Sequence, residues 1–184
     1  MISRTLIALS FAVLLFLPTQ ASSFQKRDHL TPQEIDLVKE AQILDKRIEV
    51  FIKAVDRRVM VINGTSAGNA KQLKKDAEKW GELPAGSRFE LVSDIARIYD
   101  EAITNIDDVN SRDDRNPLIP KALRKLATSV SSTMELLKPL KVEAKTEAEI
   151  ASLELLNEDA QSILAAANKL PPEIDKKAKK NEKK

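Results

Sequence analysis

The same helix-start signature is written three times in this chain. Thr31 is followed three residues later by Glu34, Ser87 by Glu90, and Thr146 by Glu149. In such a capping box the hydroxyl accepts from an otherwise orphaned amide of the first turn, and the carboxylate returns to the cap's own amide. Behind each box, apolar residues recur at steps of three and four, which keeps one helix face apolar. Ala, Leu, Glu and Lys, all strong helix formers, dominate, and Gly occurs only 4 times in 184 residues. The expected fold is all-α: an antiparallel four-helix bundle with a long first helix, a short extra helix and a disordered basic C-terminal tail.

The first helix starts at Thr31, with Pro32 in the first helical position, where its missing N–H costs nothing. Leu30 and Ile35 are placed as a hydrophobic staple. The stripe Leu37, Ala41, Leu44, Ile48, Phe51, Val55, Val59 and Ile62 predicts one continuous helix up to Asn63-Gly64, a left-handed stop. After the polar loop from Asn63 to Asn69, a short helix from Ala70 to Trp80 is expected to cap one end of the bundle, with Trp80 plugging the core. The second long helix uses Phe89, Val92, Ile95, Tyr99, Ala102, Ile106 and Val109, and stops in the polar run Asn110–Asn116. The third starts between Pro117 and Pro120, uses Leu123, Leu126, Val130, Met134, Leu137 and Leu140, and is kinked or ended by Pro139. The fourth uses Ile150, Leu153, Leu156, Ala160, Ile163 or Leu164, and Ala167, and ends before Pro171-Pro172. Lys121, Arg124 and Lys125 on the third helix face a fourth helix whose acids are Glu147, Glu149, Glu154, Glu158 and Asp159, so opposite charge is expected to set their pairing.

The N-terminus reads as an export leader. One cation, Arg4, precedes an apolar run from Leu6 to Leu17, then Pro18 and small residues at Ala21-Ser22-Ser23. That run is too short to span a bilayer, which takes roughly 20 residues. The expected organisation is a signal peptide over 1–23, a flexible N-terminus over 24–30, a helical domain over 31–170 and a Lys-rich tail over 171–184. The expected location is the periplasm or the exterior, after cleavage near residues 21–23. Lys169 to Lys184 carries seven Lys against Glu173, Asp175 and Glu182, whereas the whole chain is only +2. The body is therefore mildly acidic, which disfavours nucleic acid as a partner. The tail is suited to weak contact with an anionic membrane or cell-wall surface.

The residues exclude several chemistries. With no Cys there is no thiol nucleophile, zinc–thiolate site or c-type haem attachment. The single His, His29, cannot supply paired metal ligands, and in a flexible segment it cannot be held as a base. Asp107 to Asp114 is acidic enough for calcium but lacks the EF-hand Gly and has Arg112 at a ligand position. Ser66 and Gly68 lack the Lys and spacing of a P-loop. Ser129, Ser131, Ser132 and Thr133 read as surface or packing residues. Met60 and Met134 read as core filler rather than haem ligands. Asp100-Glu101 and Asp107-Asp108 are adjacent pairs that diverge by about 100° on a helix and cannot converge without a second element. Arg58, at the edge of the first stripe, is expected to pair with Asp94 or Asp100. No catalytic, cofactor-binding or metal residue is assigned. Asn63-Gly64-Thr65 is a glycosylation sequon only in a eukaryotic host.

Leu30-Thr31-Pro32-Gln33 resembles, over those few residues, the Leu-Thr-x-x-Gln motif of small periplasmic stress chaperones, with Glu34 where the motif's Gln stands. A good helix cap produces the same string, so no family is assigned from it. The expected function is that of an exported, non-enzymatic helical protein acting through protein–protein contact or self-association. The alternatives are a periplasmic chaperone holding unfolded clients and a hydrolase using carboxylates.

Overall fold

A computed structural model describes residues 27–65 and 70–172. The expected leader, residues 24–26, residues 66–69 of the Asn63–Asn69 loop and the tail from 173 onward lie outside the described residues. Among the described residues the chain is all-α, with no strand. Its elements are α1 (Pro32–Glu40), α2 (Leu44–Ile62), α3 (Ala70–Trp80), α4 (Arg88–Arg112), α5 (Leu118–Leu136), α6 (Leu140–Glu143) and α7 (Glu147–Asn168).

All three capping boxes form, at Thr31–Glu34, Ser87–Glu90 and Thr146–Glu149. α2 ends at Asn63, and Gly64 follows at φ +65°, the left-handed conformation expected there. Pro139 divides α5 from α6 and sits at the N-cap of the latter. α2 contacts α4 and α5, and α7 contacts the same two helices. Their shared core is aliphatic apart from Phe51 and Tyr99.

The first helix is not continuous. It breaks at Ala41–Ile43, where Ala41 lies at φ −77°, ψ 79° and Ile43 is extended. Neither Gly nor Pro marks the break. Side chains stand in for the lost helical bonds: Gln42 Nε2 donates to the Lys39 carbonyl at 2.5 Å and Arg47 Nε to that of Ala41 at 3.0 Å. The reason for the break lies in Glu34. On a straight helix it would stand roughly 35 Å from Arg57. With the chain turned at 41–43, α1 packs on α2 and the two side chains meet.

α4 is buried over a broader arc than a one-faced stripe. From Leu91 to Tyr99 only Ser93 and Arg97 are not buried, because α4 is flanked by both α2 and α7. The charge pairing also differs from expectation. Lys121 and Lys125 of α5 turn to α2: Lys121 Nζ is 2.7 Å from Asp45, and Lys125 Nζ is 2.5 Å from both Asp45 and Glu49. The bonds from Lys121, then Lys125, hold the Asp45 carboxyl below its ordinary value. Among the described residues no cation of α5 pairs with α7. Those two helices meet through apolar residues instead, α7 contributing Leu156, Ala160 and Ile163.

Candidate functional site

Three places concentrate chemistry. The first is a buried ionic clasp. The Glu34 carboxylate closes the cap of α1, accepting from Thr31 N at 2.9 Å. It also lies 3.0 Å from Arg57 Nη1 and 2.9 Å from Arg58 Nη2, with all three side chains almost fully buried. Arg57 donates further to the carbonyls of Trp80 (2.7 Å), Gly81 (3.1 Å) and Glu82, tying down the chain that leaves α3. Burial pulls the Arg57 guanidinium down from its ordinary value, and the Glu34 charge opposes that. Arg58 donates to the Ala54 carbonyl at 2.7 Å and to that of His29, and its Nε is 3.9 Å from Asp94. Of the two partners expected for Arg58, the structure thus brings up Asp94 and not Asp100. Its principal partner, Glu34, was hidden by the assumption of a straight first helix.

Trp80 does not plug the core. It is half-buried, and the Arg57 guanidinium stands 5.8 Å from the centre of its ring. Gly81 follows at φ +67°, and a Cβ there would meet the Gln33 side chain at 2.7 Å. A glycine is therefore favoured there for the left-handed turn, whereas the flexible Gln33 side chain can move aside.

The second place is an open cleft of about 450 Å³ between the segment before α1 and α4, lined by Asp28, His29, Asp100, Glu101 and Thr104 among others. Residues 27–30, the described part of the expected flexible N-terminus, are fixed. Leu30 is buried in the core. Arg27 pairs with Asp94 at 2.6 Å, Arg97 donates to the Arg27 carbonyl at 2.9 Å, and His29 Nε2 is 2.8 Å from Glu101 Oε2. His29 Nδ1 in turn faces Asp28 at 3.7 Å. The Nε2 contact with Glu101 thus fastens this segment to α4, while Nδ1 lies near Asp28 without a hydrogen bond to it. Burial pushes the Asp94 carboxyl above its ordinary value despite Arg27, Arg58 and Arg97 around it.

α7 supplies the second element that Asp100 lacked. Burial first, then the charges of Asp100 and Glu158, push Asp159 up to about 6. Asp100 lines the cleft and Asp159 does not, although the charge of Asp100 reaches Asp159. The shift has a stability consequence. A carboxyl whose folded pKa is raised contributes most below its unfolded value near 3.8, and that contribution is lost as pH rises through about 6. Removing the charge with Asp159→Asn is therefore expected to stabilise the protein above pH 6, by about 1 kcal/mol after solvent screening, and to leave it unchanged near pH 3. Thermal unfolding of both proteins across that range measures the difference, which should grow with pH.

The remaining polar candidates have local roles. Tyr99 Oη lies 2.8 Å from Thr133 Oγ1 and 3.1 Å from Ser129 Oγ, and burial pushes its phenol up to about 12. Two of the five hydroxyls on α5 thus seat a buried tyrosine, while Thr128 and Ser131 bond their own helix, at the Arg124 and Ala127 carbonyls. Asp107 and Asp108 lie on α4, which runs to Arg112 before Asp113 caps it. Among the described residues no group of three or more His, Asp or Glu side chains is disposed to hold a metal ion.

The third place is apolar. A groove of about 280 Å³ runs between α6 and α7, lined by Lys141, Ala144, Ile150, Leu153, Glu154 and Asn157. Of the residues expected in the core stripe of the fourth helix, Leu153 packs against the core while also lining this groove, and Ile150 is 44% exposed and lines it instead. Val142, on α6, is 89% exposed, while Leu140 two residues earlier is buried. The helical turn of about 100° per residue sets them on opposite sides of α6. Of the five exposed large hydrophobics among the described residues, Leu136, Val142, Ile150 and Leu155 fall within 136–155, and only Ile43 lies elsewhere. No protein-family model matches the chain, and neither a curated protein nor a solved structure matches it.

Proposed function

We propose that this is an exported, non-enzymatic protein, an antiparallel four-helix bundle that acts by docking another protein on its α6–α7 face. The observation that carries this reading is the α6–α7 groove itself, lined by the exposed Ile150 and the partly buried Leu153 beside Lys141, Glu154 and Asn157, with Leu136, Val142 and Leu155 exposed nearby in the sequence. Singly exposed apolar residues are ordinary on any surface, whereas a cluster beside a groove with a polar rim marks an interaction site. The aliphatic core supports the bundle reading, since α2, α4, α5 and α7 all contribute to it. Export is supported by the leader-like composition of residues 1–23.

The groove is tested with an environment-sensitive hydrophobic dye. The chain from Phe24 onward retains every described residue, so it keeps the whole core. It is expected to bind the dye with enhanced fluorescence, and Val142→Lys combined with Ile150→Lys is expected to lose most of that signal without loss of helicity. A dye signal indifferent to these two substitutions would refute a docking role for this face. Export is checked separately, by the mass of the chain recovered outside the cytoplasm; cleavage near residues 21–23 is expected.

A further inference from the structure

The lips of the α6–α7 groove carry opposite charge that no salt bridge among the described residues neutralises. Lys141 stands on the α6 lip and Glu154 on the α7 lip. Among the described residues neither forms a salt bridge, although Glu143, also on α6, is paired with Arg88 on α4. The imbalance extends along α7. That helix has five acids, Glu147, Glu149, Glu154, Glu158 and Asp159, and no Lys or Arg. None of the five is salt-bridged to a described cation. The chain before it carries Lys138, Lys141 and Lys145, and only Lys138 is paired, with Glu135.

We infer that the occupant of this groove is a second copy of the same chain, related by a two-fold axis along the groove. This rests on the reading above that the face is a docking surface. In a two-fold contact, residue i of one copy meets j of the other and j meets i. Rotation about an axis between a basic and an acidic lip lays each on its opposite. Lys141 then meets Glu154 of the second copy, and Glu154 meets the second copy's Lys141. The exposed Ile150 and the open side of the partly buried Leu153 are covered together with the outward-facing Val142. Complementary charge selects the orientation, and the apolar lining supplies the burial.

The experiment is sedimentation equilibrium on the chain from Phe24 onward, over a range of concentration, with four samples. The unsubstituted chain is expected to dimerise. Lys141→Glu and Glu154→Lys, each alone, place like charges opposite one another at both symmetric contacts. Each is expected to raise the dimer dissociation constant about tenfold or more. Mixed in equal amounts, the two variants restore opposite charge at both contacts, so the mixture is expected to dimerise again as a heterodimer. A dimer insensitive to both substitutions overturns the inference. So does a chain that stays monomeric, and there the dye experiment separates the two ideas. A monomer that binds dye at Val142 and Ile150 keeps the docking face and loses the second copy as its occupant. A monomer that does not bind dye there loses both.

Discussion

Glu34→Ala is expected to cost about 3–5 kcal/mol, because it leaves two buried guanidiniums facing an apolar methyl group. The cost comes less from the lost attraction than from the uncompensated charge that remains. Arg58 retains the carbonyls of Ala54 and His29, and Arg57 those of Trp80, Gly81 and Glu82. Those acceptors carry only partial charge. The same substitution also removes the capping carboxylate of α1, worth about 1 kcal/mol by itself. Small domains have only about 5–15 kcal/mol in total, so the variant should unfold at a much lower urea concentration. A loss below about 1 kcal/mol would show that the carbonyls, with Asp94 beside Arg58, satisfy the two arginines and that the clasp contributes little.

Phe51→Ala is the second large effect, at about 3–5 kcal/mol. Phe51 is fully buried on α2, in a core otherwise built of Leu, Ile, Val and Ala with a single Tyr. Its neighbours are branched aliphatics held by helix backbones, which cannot collapse into the space of a lost ring. Phe51→Leu keeps most of the volume and should cost about 1 kcal/mol. Urea titration of both variants tests the pair, and equal losses would mean that the ring is loosely packed. Neither substitution touches the α6–α7 face, so neither should alter dye binding in the folded protein.

Local signals were the legible ones. The three capping boxes, the stop at Asn63-Gly64, the bounds of α3 and the interruption at Pro139 each depend on a few adjacent residues, and each stands where the sequence places it. What failed required a partner distant in the chain. The apolar stripe from Leu37 to Ile62 runs unbroken through Ala41–Ile43, so periodicity shows no bend. The bend exists because Glu34 is drawn to Arg57 and Arg58, more than twenty positions on. A carboxylate at the buried edge of a helix, followed later by adjacent arginines, was the signal that could have shown it. His29 was likewise read as mobile because its tether, Glu101, lies on α4. The docking face was hidden for the opposite reason. Ile150 obeys the helical period that marks a core stripe, yet the core beside α7 is filled by Leu156, Ala160 and Ile163. Periodicity identifies an apolar face without saying whether a neighbour reaches it.

The position of Trp80 gives the molecule a built-in optical gauge. It is the one tryptophan of the chain, and it stands beside Arg57, the cation that ties α1 to the end of α3. Its emission therefore monitors that corner alone, whereas far-ultraviolet ellipticity is dominated by the long helices α2, α4, α5 and α7. If the clasp releases before the rest, fluorescence will change at a lower temperature than ellipticity. If the two signals coincide, the corner and the aliphatic core melt as one cooperative unit.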